Sequence, residues 1–266
     1  MVLPQPRLGS DMAGNLCWDK LVLGLHCDGT NGSTTFTDVK GKTVTANGNA
    51  QISTAQYPAL TGKTSSAYFD GNGDYLSVPD SADWDFGSGD FTIRFLVRLP
   101  SSFSSQGAVF VQRANNTLNS PIWIGVTAAK LVRVIASSDT TTTLFDVTGT
   151  TVLVANTWYH VAFVRYGSSW KVYIDGAEEL SQTNAGAVFS AAANVVVGGD
   201  TNTNYLNGYL SEVEIYKGGA LHVEDFTPPT DPFDEGYLPS SGALSLIGGS
   251  PPGGGASSRP LVFCAC

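Results

Sequence analysis

The chain is short of charge, and shortest of positive charge. Charged residues make up 14 % of its 266 positions, where about a quarter is usual for a soluble domain. Lys and Arg number 14 against 23 Asp and Glu, a formal net charge of −9. A surface with so few cations is ill suited to a row of phosphates, which argues against a nucleic-acid partner. No apolar run approaches the length of a membrane-spanning helix. Cysteine is scarce and confined to the ends, at Cys17, Cys27, Cys264 and Cys266. These spacings form no C-x-x-C pair, so free thiols are expected rather than a zinc site or a disulfide framework. Only three histidines occur, His26, His160 and His222, and none stands in a nucleophile motif. The first twenty residues lack the apolar core of a signal peptide, since Pro4, Pro6, Arg7 and Asp11 interrupt it. The expectation is therefore synthesis and folding in a cytoplasm.

What the chain does have is aromatic residues (11 %), hydrophobic residues (42 %) and 30 glycines. This excludes wholesale disorder and suits a fold rich in turns. The clearest pattern is FTIRFLVRL: Phe91, Ile93, Phe95, Val97 and Leu99 fall on one face, Thr92, Arg94, Leu96 and Arg98 on the other. A period of two predicts a strand with one buried face. Similar runs lie at 66–70, 75–78, 107–112, 121–126, 131–136, 157–166, 170–176, 194–199 and 209–216. Asp175-Gly176 is the strongest two-residue turn signal. No segment carries a helical stripe, so the expected architecture is a single all-β sandwich or jelly roll of two antiparallel sheets. Residues 1–20 read as an N-terminal arm, 21–233 as the domain, and 234–266 as a Gly/Pro-rich tail. The tail ends in Leu261, Val262 and Phe263, which together with Trp18 are expected to anchor the chain to neighbouring subunits.

Five segments, in order, resemble the laminin-G-like branch of the concanavalin A-like lectin/glucanase superfamily. They are LVLGLHCDGTNGSTTFTD, SAYFDGNGDYLSVPDS, DFTIRFLVRL, NTWYHVAFVRYGSSWKVYIDG and LNGYLSEVEIYKGGAL. The resemblance implies a concanavalin A-like jelly-roll sandwich with extended terminal arms. It also implies one structural calcium, with ligands assigned to Asp28, the carbonyl of Gly71, and Glu212. Domains of this kind recur in virion proteins of tailed bacteriophages. The leading expectation is accordingly a non-enzymatic structural and adhesion protein on a phage capsid or tail surface, made in the host cytoplasm without a signal peptide. Its partners would be other virion subunits and a host-surface glycan. A carbohydrate-binding module of a bacterial surface or secreted protein is the alternative, and a glycoside hydrolase the second.

Residue by residue, the expectations separate. Trp158, in the Trp-x-His-Val-Ala segment, is expected between the sheets, and Trp84 and Trp123 are expected in the core. His160 reads as a structural residue rather than a catalyst. Glu212 and Glu214 share a strand face, but the Glu-x-Asp-x-Glu triplet of glucanases with this fold is broken by Tyr216, so no catalytic residue is assigned. Asp70-Gly71-Asn72-Gly73-Asp74 imitates the start of an EF-hand loop and departs from it at Tyr75 and Ser81, leaving a hairpin turn. A sugar site needs an aromatic ring beside planar polar groups. The candidates are Arg113, Asn115 and Asn116 in one loop, and Asp200, Asn202, Asn204 and Tyr205 in another.

Overall fold

The computed structural model describes residues 18–113, 119–200 and 203–233. Fifteen strands in two antiparallel sheets account for nearly all of its regular structure, the expected jelly-roll sandwich. One sheet runs β13(Ala177–Thr183), β12(Ser169–Ile174), β11(Trp158–Tyr166), β6(Phe91–Arg98), β15(Asn207–Lys217), β4(Ser66–Asp70), β3(Gln51–Ser53), with β1(Leu21–Leu25) also paired to β15. The other runs β10(Thr143–Val152), β9(Leu131–Ser137), β8(Ile122–Val126), β7(Gly107–Gln112), β14(Val195–Val197), β5(Tyr75–Val78), β2(Thr45–Asn47). Among the described residues no helix is long and apolar enough to cross a membrane.

Two-residue turns set the registers where the sequence places them. Ile174 faces Ala177 across Asp175-Gly176, and both turn residues have positive φ, 48° and 82°. That is the backbone of a type I′ turn, whose twist matches the strands it joins. At the EF-hand-like segment the buried Asp74 carboxylate accepts the backbone N–H groups of Asn49 (2.7 Å) and Asp70 (2.9 Å). Gly48 at φ +68° lies so close that a Cβ there would stand 2.6 Å from the carbonyl oxygen of Gly73. The segment is a latched hairpin turn.

The inner faces interdigitate as the alternation predicts. Phe91, Ile93, Phe95, Val97 and Leu99 are all in the core, with Trp84 and Trp170 the largest fully buried side chains. Trp170 meets Phe91 (5.6 Å) and Phe145 (5.1 Å) edge to face, an arrangement that aromatic quadrupoles favour.

Two expectations are corrected. Trp158 does not fill the space between the sheets. Val161 and Phe163 point inward, so by alternation Trp158 lies on the outer face, half-buried against Tyr209 at 6.5 Å. Trp123 is buried, in a cluster with Ala108, Val111 and Ile135 on the outer face of the other sheet. The second face of β6 is not solvated either: Thr92, Arg94, Leu96 and Arg98 are all buried. The chain after β15 returns across this face as a strap, Gly218–Phe233. Leu221 donates its N–H to Thr92 Oγ1 (2.9 Å), Phe226 donates to the Gly176 carbonyl (2.9 Å), and Phe233 donates to Glu212 Oε2 (2.7 Å).

At the other end Trp18 packs on Leu21, Tyr216 and Leu221, with the Lys40 ammonium 4.0 Å from its ring centroid. Lys20 accepts a hydrogen bond from the Lys217 N–H. Trp18–Lys20 therefore belong to the sandwich rather than to an arm, and the Trp18 ring is engaged within the chain. Leu261, Val262 and Phe263 lie outside the described residues, as do Cys17, Cys264 and Cys266. Cys27 is a free, buried thiol, and burial pushes its pKa up to about 12.

Candidate functional site

The seven-stranded sheet carries a polar network on its outer side. Arg113, just past β7, extends Nη2 to 2.6 Å from Asp200 Oδ2. The two loops nominated from sequence are thus joined directly. Asp200 is buried and organises its own loop: Oδ1 accepts the N–H groups of Thr203 and Asn204 at 3.0 Å each, and the Asn204 amide also donates to Oδ2. From Asn204 the network continues through Gln106, whose amide donates to Asn204 Oδ1 (3.1 Å), to Arg133, which donates to Gln106 Oε1 (3.1 Å). Arg133 ends in a two-point pairing with Asp146, at 2.8 and 2.5 Å. Beside it the half-buried Tyr205 ring stacks on Tyr75, 6.4 Å between centroids with planes 19° apart.

The division of labour follows from burial. Asp200 is buried and is consumed in holding the loop, whereas Arg113, Asn204, Gln106, Arg133 and Asp146 are at least partly exposed. Each exposed group is a planar amide, guanidinium or carboxylate with capacity beyond its internal bonds. Such groups suit the paired hydroxyls of a sugar, and the tyrosine pair offers a π-face for its C–H groups. Asn115, Asn116 and Asn202 lie outside the described residues. Sequence reasoning missed Gln106 and Arg133. Arg133 is a polar residue on the outward side of the apolar strand β9 and Gln106 a polar loop residue just before β7, signals that many solvated residues share.

Glu212 and Glu214, to which the sequence assigns no catalytic role, are engaged in ion pairs. Glu214 is buried, 2.6 Å from Arg94 Nη2, and accepts from the Tyr216 hydroxyl at 2.9 Å. Glu212 sits in a bulge of β15 at φ 51°. Its Oε2 accepts from His26 Nδ1 (2.8 Å), and its Oε1 lies 2.6 Å from Lys63 Nζ. His160 is buried beneath His222, Phe226 and Phe233. Its ring nitrogens have no hydrogen-bond partner among the described residues, and burial pushes its pKa down to about 3.

Asp28 and Glu212 do converge, but around an ammonium: Lys63 Nζ is 2.8 Å from Asp28 Oδ1, and also donates to the His26 carbonyl. Burial disfavours the charged lysine, yet Glu212 and Asp28 together hold its pKa above the ordinary value. Glu212 shows the converse balance, with burial outweighed by His26 and Lys63 so that its pKa falls. Ser65, whose hydroxyl contacts Asp28, lies at one end of β4 and Gly71 just past the other, about 20 Å away at ordinary strand rise. A divalent cation at Asp28 and Glu212 would stand against the lysine charge without a third assigned ligand, so these residues do not fit calcium. Among the described residues no cluster of three His, Cys, Asp or Glu side chains could hold a metal. Neither Lys63 nor His26 was singled out from sequence, because the pairing spans a separation of 149 residues from Lys63 to Glu212 that no local pattern encodes.

Comparisons with known proteins agree with the fold. The profile of the concanavalin A-like lectin/glucanases superfamily matches residues 70–225. The binding domain of Paraclostridial Mosquitocidal Protein 1 superposes with a TM-score of 0.59 at 15 % identity, covering 77 % of this chain and 50 % of that one. Domain 4 of AbnA, a GH43 extracellular arabinanase from Geobacillus stearothermophilus solved with arabinotriose, gives 0.54 at 20 % identity, covering 75 % and 93 %. The botulinum neurotoxin serotype D binding domain gives 0.58 at 15 % identity, covering 79 % and 51 %. The chain thus spans about half the length of the toxin structures it matches. No curated protein sequence matches it.

Proposed function

Since the chain belongs to the concanavalin A-like lectin/glucanases superfamily, we propose that it is a non-catalytic recognition module that binds a glycan on a cell surface. The observation that carries this reading is the network from Arg113 through Asp200, Asn204 and Gln106 to Arg133. It places exposed planar polar groups beside the Tyr75–Tyr205 pair on one sheet. The domain from an arabinanase, solved with an arabinose oligomer, and the toxin binding domains support it as relatives in fold. The engagement of Glu212 and Glu214 in buried ion pairs supports the absence of glycosidase chemistry, which needs one carboxyl free to donate a proton and another facing the sugar.

The finer reading is display on the surface of a phage virion, with the C-terminal segment as the attachment to neighbouring subunits. The Gly/Pro-rich composition of 248–255 followed by Leu261-Val262-Phe263 supports it, since such a stretch builds no core yet ends in side chains that favour burial. A glycan array probed with the full chain tests recognition. Binding that weakens in Gln106→Ala and Arg133→Ala, with no hydrolysis of the bound glycan, is the expected result. A polysaccharide cleaved by the wild type and spared by Glu214→Gln would overturn the non-catalytic reading. Deletion of 250–266 tests the anchor: the shortened chain should be lost from purified particles, and wild-type occupancy would place the attachment elsewhere.

A further inference from the structure

On the outer face of the eight-stranded sheet, the register brings one side chain from each of five successive strands into line. Gln51 faces Tyr68, Tyr68 faces Tyr209, Tyr209 faces Arg98, and Arg98 faces Trp158. The Tyr68 and Tyr209 rings are 5.0 Å apart and tilted by 40°, and Tyr209 and Trp158 are 6.5 Å apart at 60°. The Arg98 guanidinium lies 5.6 Å from the Tyr209 ring and donates to Asn156 Oδ1 at 3.1 Å. The strap that covers the rest of this face is described as far as Phe233, packed on Arg94 at 4.0 Å. Arg98 is the second outward residue beyond Arg94 on the same strand, so the row lies clear of the described part of the strap. All three rings remain half-exposed.

From this ladder we infer that the row Tyr68–Tyr209–Trp158 is a second glycan subsite, on the sheet opposite the Arg113 network, for a single soluble chain of neutral sugars. The inference rests on the glycan-binding reading for its ligand class and on the register for its location. Three strand steps span about 14 Å, which accommodates a short run of sugar rings rather than one monosaccharide. The rings are not coplanar, at 40° and 60° to one another, matching a chain whose successive rings rotate and not the flat face of a crystalline polymer. The row holds no aliphatic side chain, unlike the apolar centre of a protein interface. Its guanidinium is already engaged by Asn156 and Tyr209, and the net charge of −9 disfavours acidic polymers. What it presents is π-faces, with the Gln51 amide at one end and the Asn156 amide beside Arg98.

Affinity electrophoresis of the full chain through gels containing soluble arabinan, xylan or mixed-linkage β-glucan, with polygalacturonate as the acidic comparison, tests this. At least one neutral polymer should retard the wild type. Trp158→Ala and Tyr209→Ala should each weaken that binding about tenfold or more, as loss of an aromatic hot spot does. Trp158→Phe should restore much of it. Retardation lost in Gln106→Ala but kept in both row variants would remove the second subsite and leave the glycan reading standing. Preference for polygalacturonate would overturn the neutral ligand class. No retardation by any neutral polymer overturns the inference, and if the array is also blank the general reading falls with it.

Discussion

Lys63 shows how one side chain can do what the fold family is expected to do with an ion. Its ammonium ties the 26–28 segment to the β15 bulge by contacting Asp28, Glu212 and the His26 carbonyl. Removing one member of a buried charge set leaves the others uncompensated, at a cost of about 3–5 kcal/mol. Lys63→Ala should therefore lower the denaturation midpoint strongly, whereas millimolar calcium or EDTA should leave the wild-type melting temperature unmoved. A calcium-dependent rise would restore the metal. Two buried histidines set the acid limit. Burial holds the pKa of His160 down to about 3 and that of His222 well below its usual value. Below about pH 6.5 the unfolded chain takes up protons that the native rings refuse, so stability falls as pH drops toward the folded values. Each ring contributes a slope of up to about 1.4 kcal/mol per pH unit. His26 acts in the opposite sense: its hydrogen bond to Glu212 raises its pKa, and its contribution is complete below pH 6.5 and lost as pH rises through the folded value. Urea titrations at pH 7 and pH 5 should show the loss on acidification. Equal midpoints would mean the two imidazoles are not held neutral.

Strands explain both what the sequence reveals and what it hides. Inner-face alternation was legible wherever a strand is buried, as in β6 and β11. The sequence was silent on β10 and β13, because TLFDVTGTTV and AEELSQT lie at the sheet edges with few buried positions and no apolar period. Outer faces were misread for a different reason. Nothing local announces that residues 218–233 return to cover Arg94, so it looked like a member of a solvated face. Trp158 had the opposite fate, since a bulky ring in an alternating strand says little about which face is covered. Of the candidate site, the two loops could be nominated from composition, but the Arg113–Asp200 pairing that unites them arises only from the folded path of the chain. The same distinction predicts the mutational ranking. Trp170, fully buried against Phe91 and Phe145, should cost about 3–5 kcal/mol as Trp170→Ala, and Trp158→Ala clearly less. Thermal melts giving the reverse order would put Trp158 back between the sheets.

Across the whole molecule, the two proposed subsites occupy opposite sheets, while both ends of the described domain meet one sheet. Trp18 packs beside Tyr216, and Phe233 is hydrogen-bonded to Glu212, next to the point where Val213 pairs with Leu25. Strand β1 therefore begins near one end and finishes near the other. A pull applied through the two termini runs along β1 and loads its bonds to β15 together, in shear, rather than peeling them one at a time. The load path bypasses β7, β8 and β9 and the Arg133–Asn204 network they support. Stretched between two pulling handles at its termini, the domain should resist as a single high-force event, and a label at Gln106 should report no change before that rupture. A sequence of small early steps would show that tension reaches the seven-stranded sheet. In mechanical terms the sandwich is a clamp: it can be hauled on from behind while the surface facing outward keeps its shape.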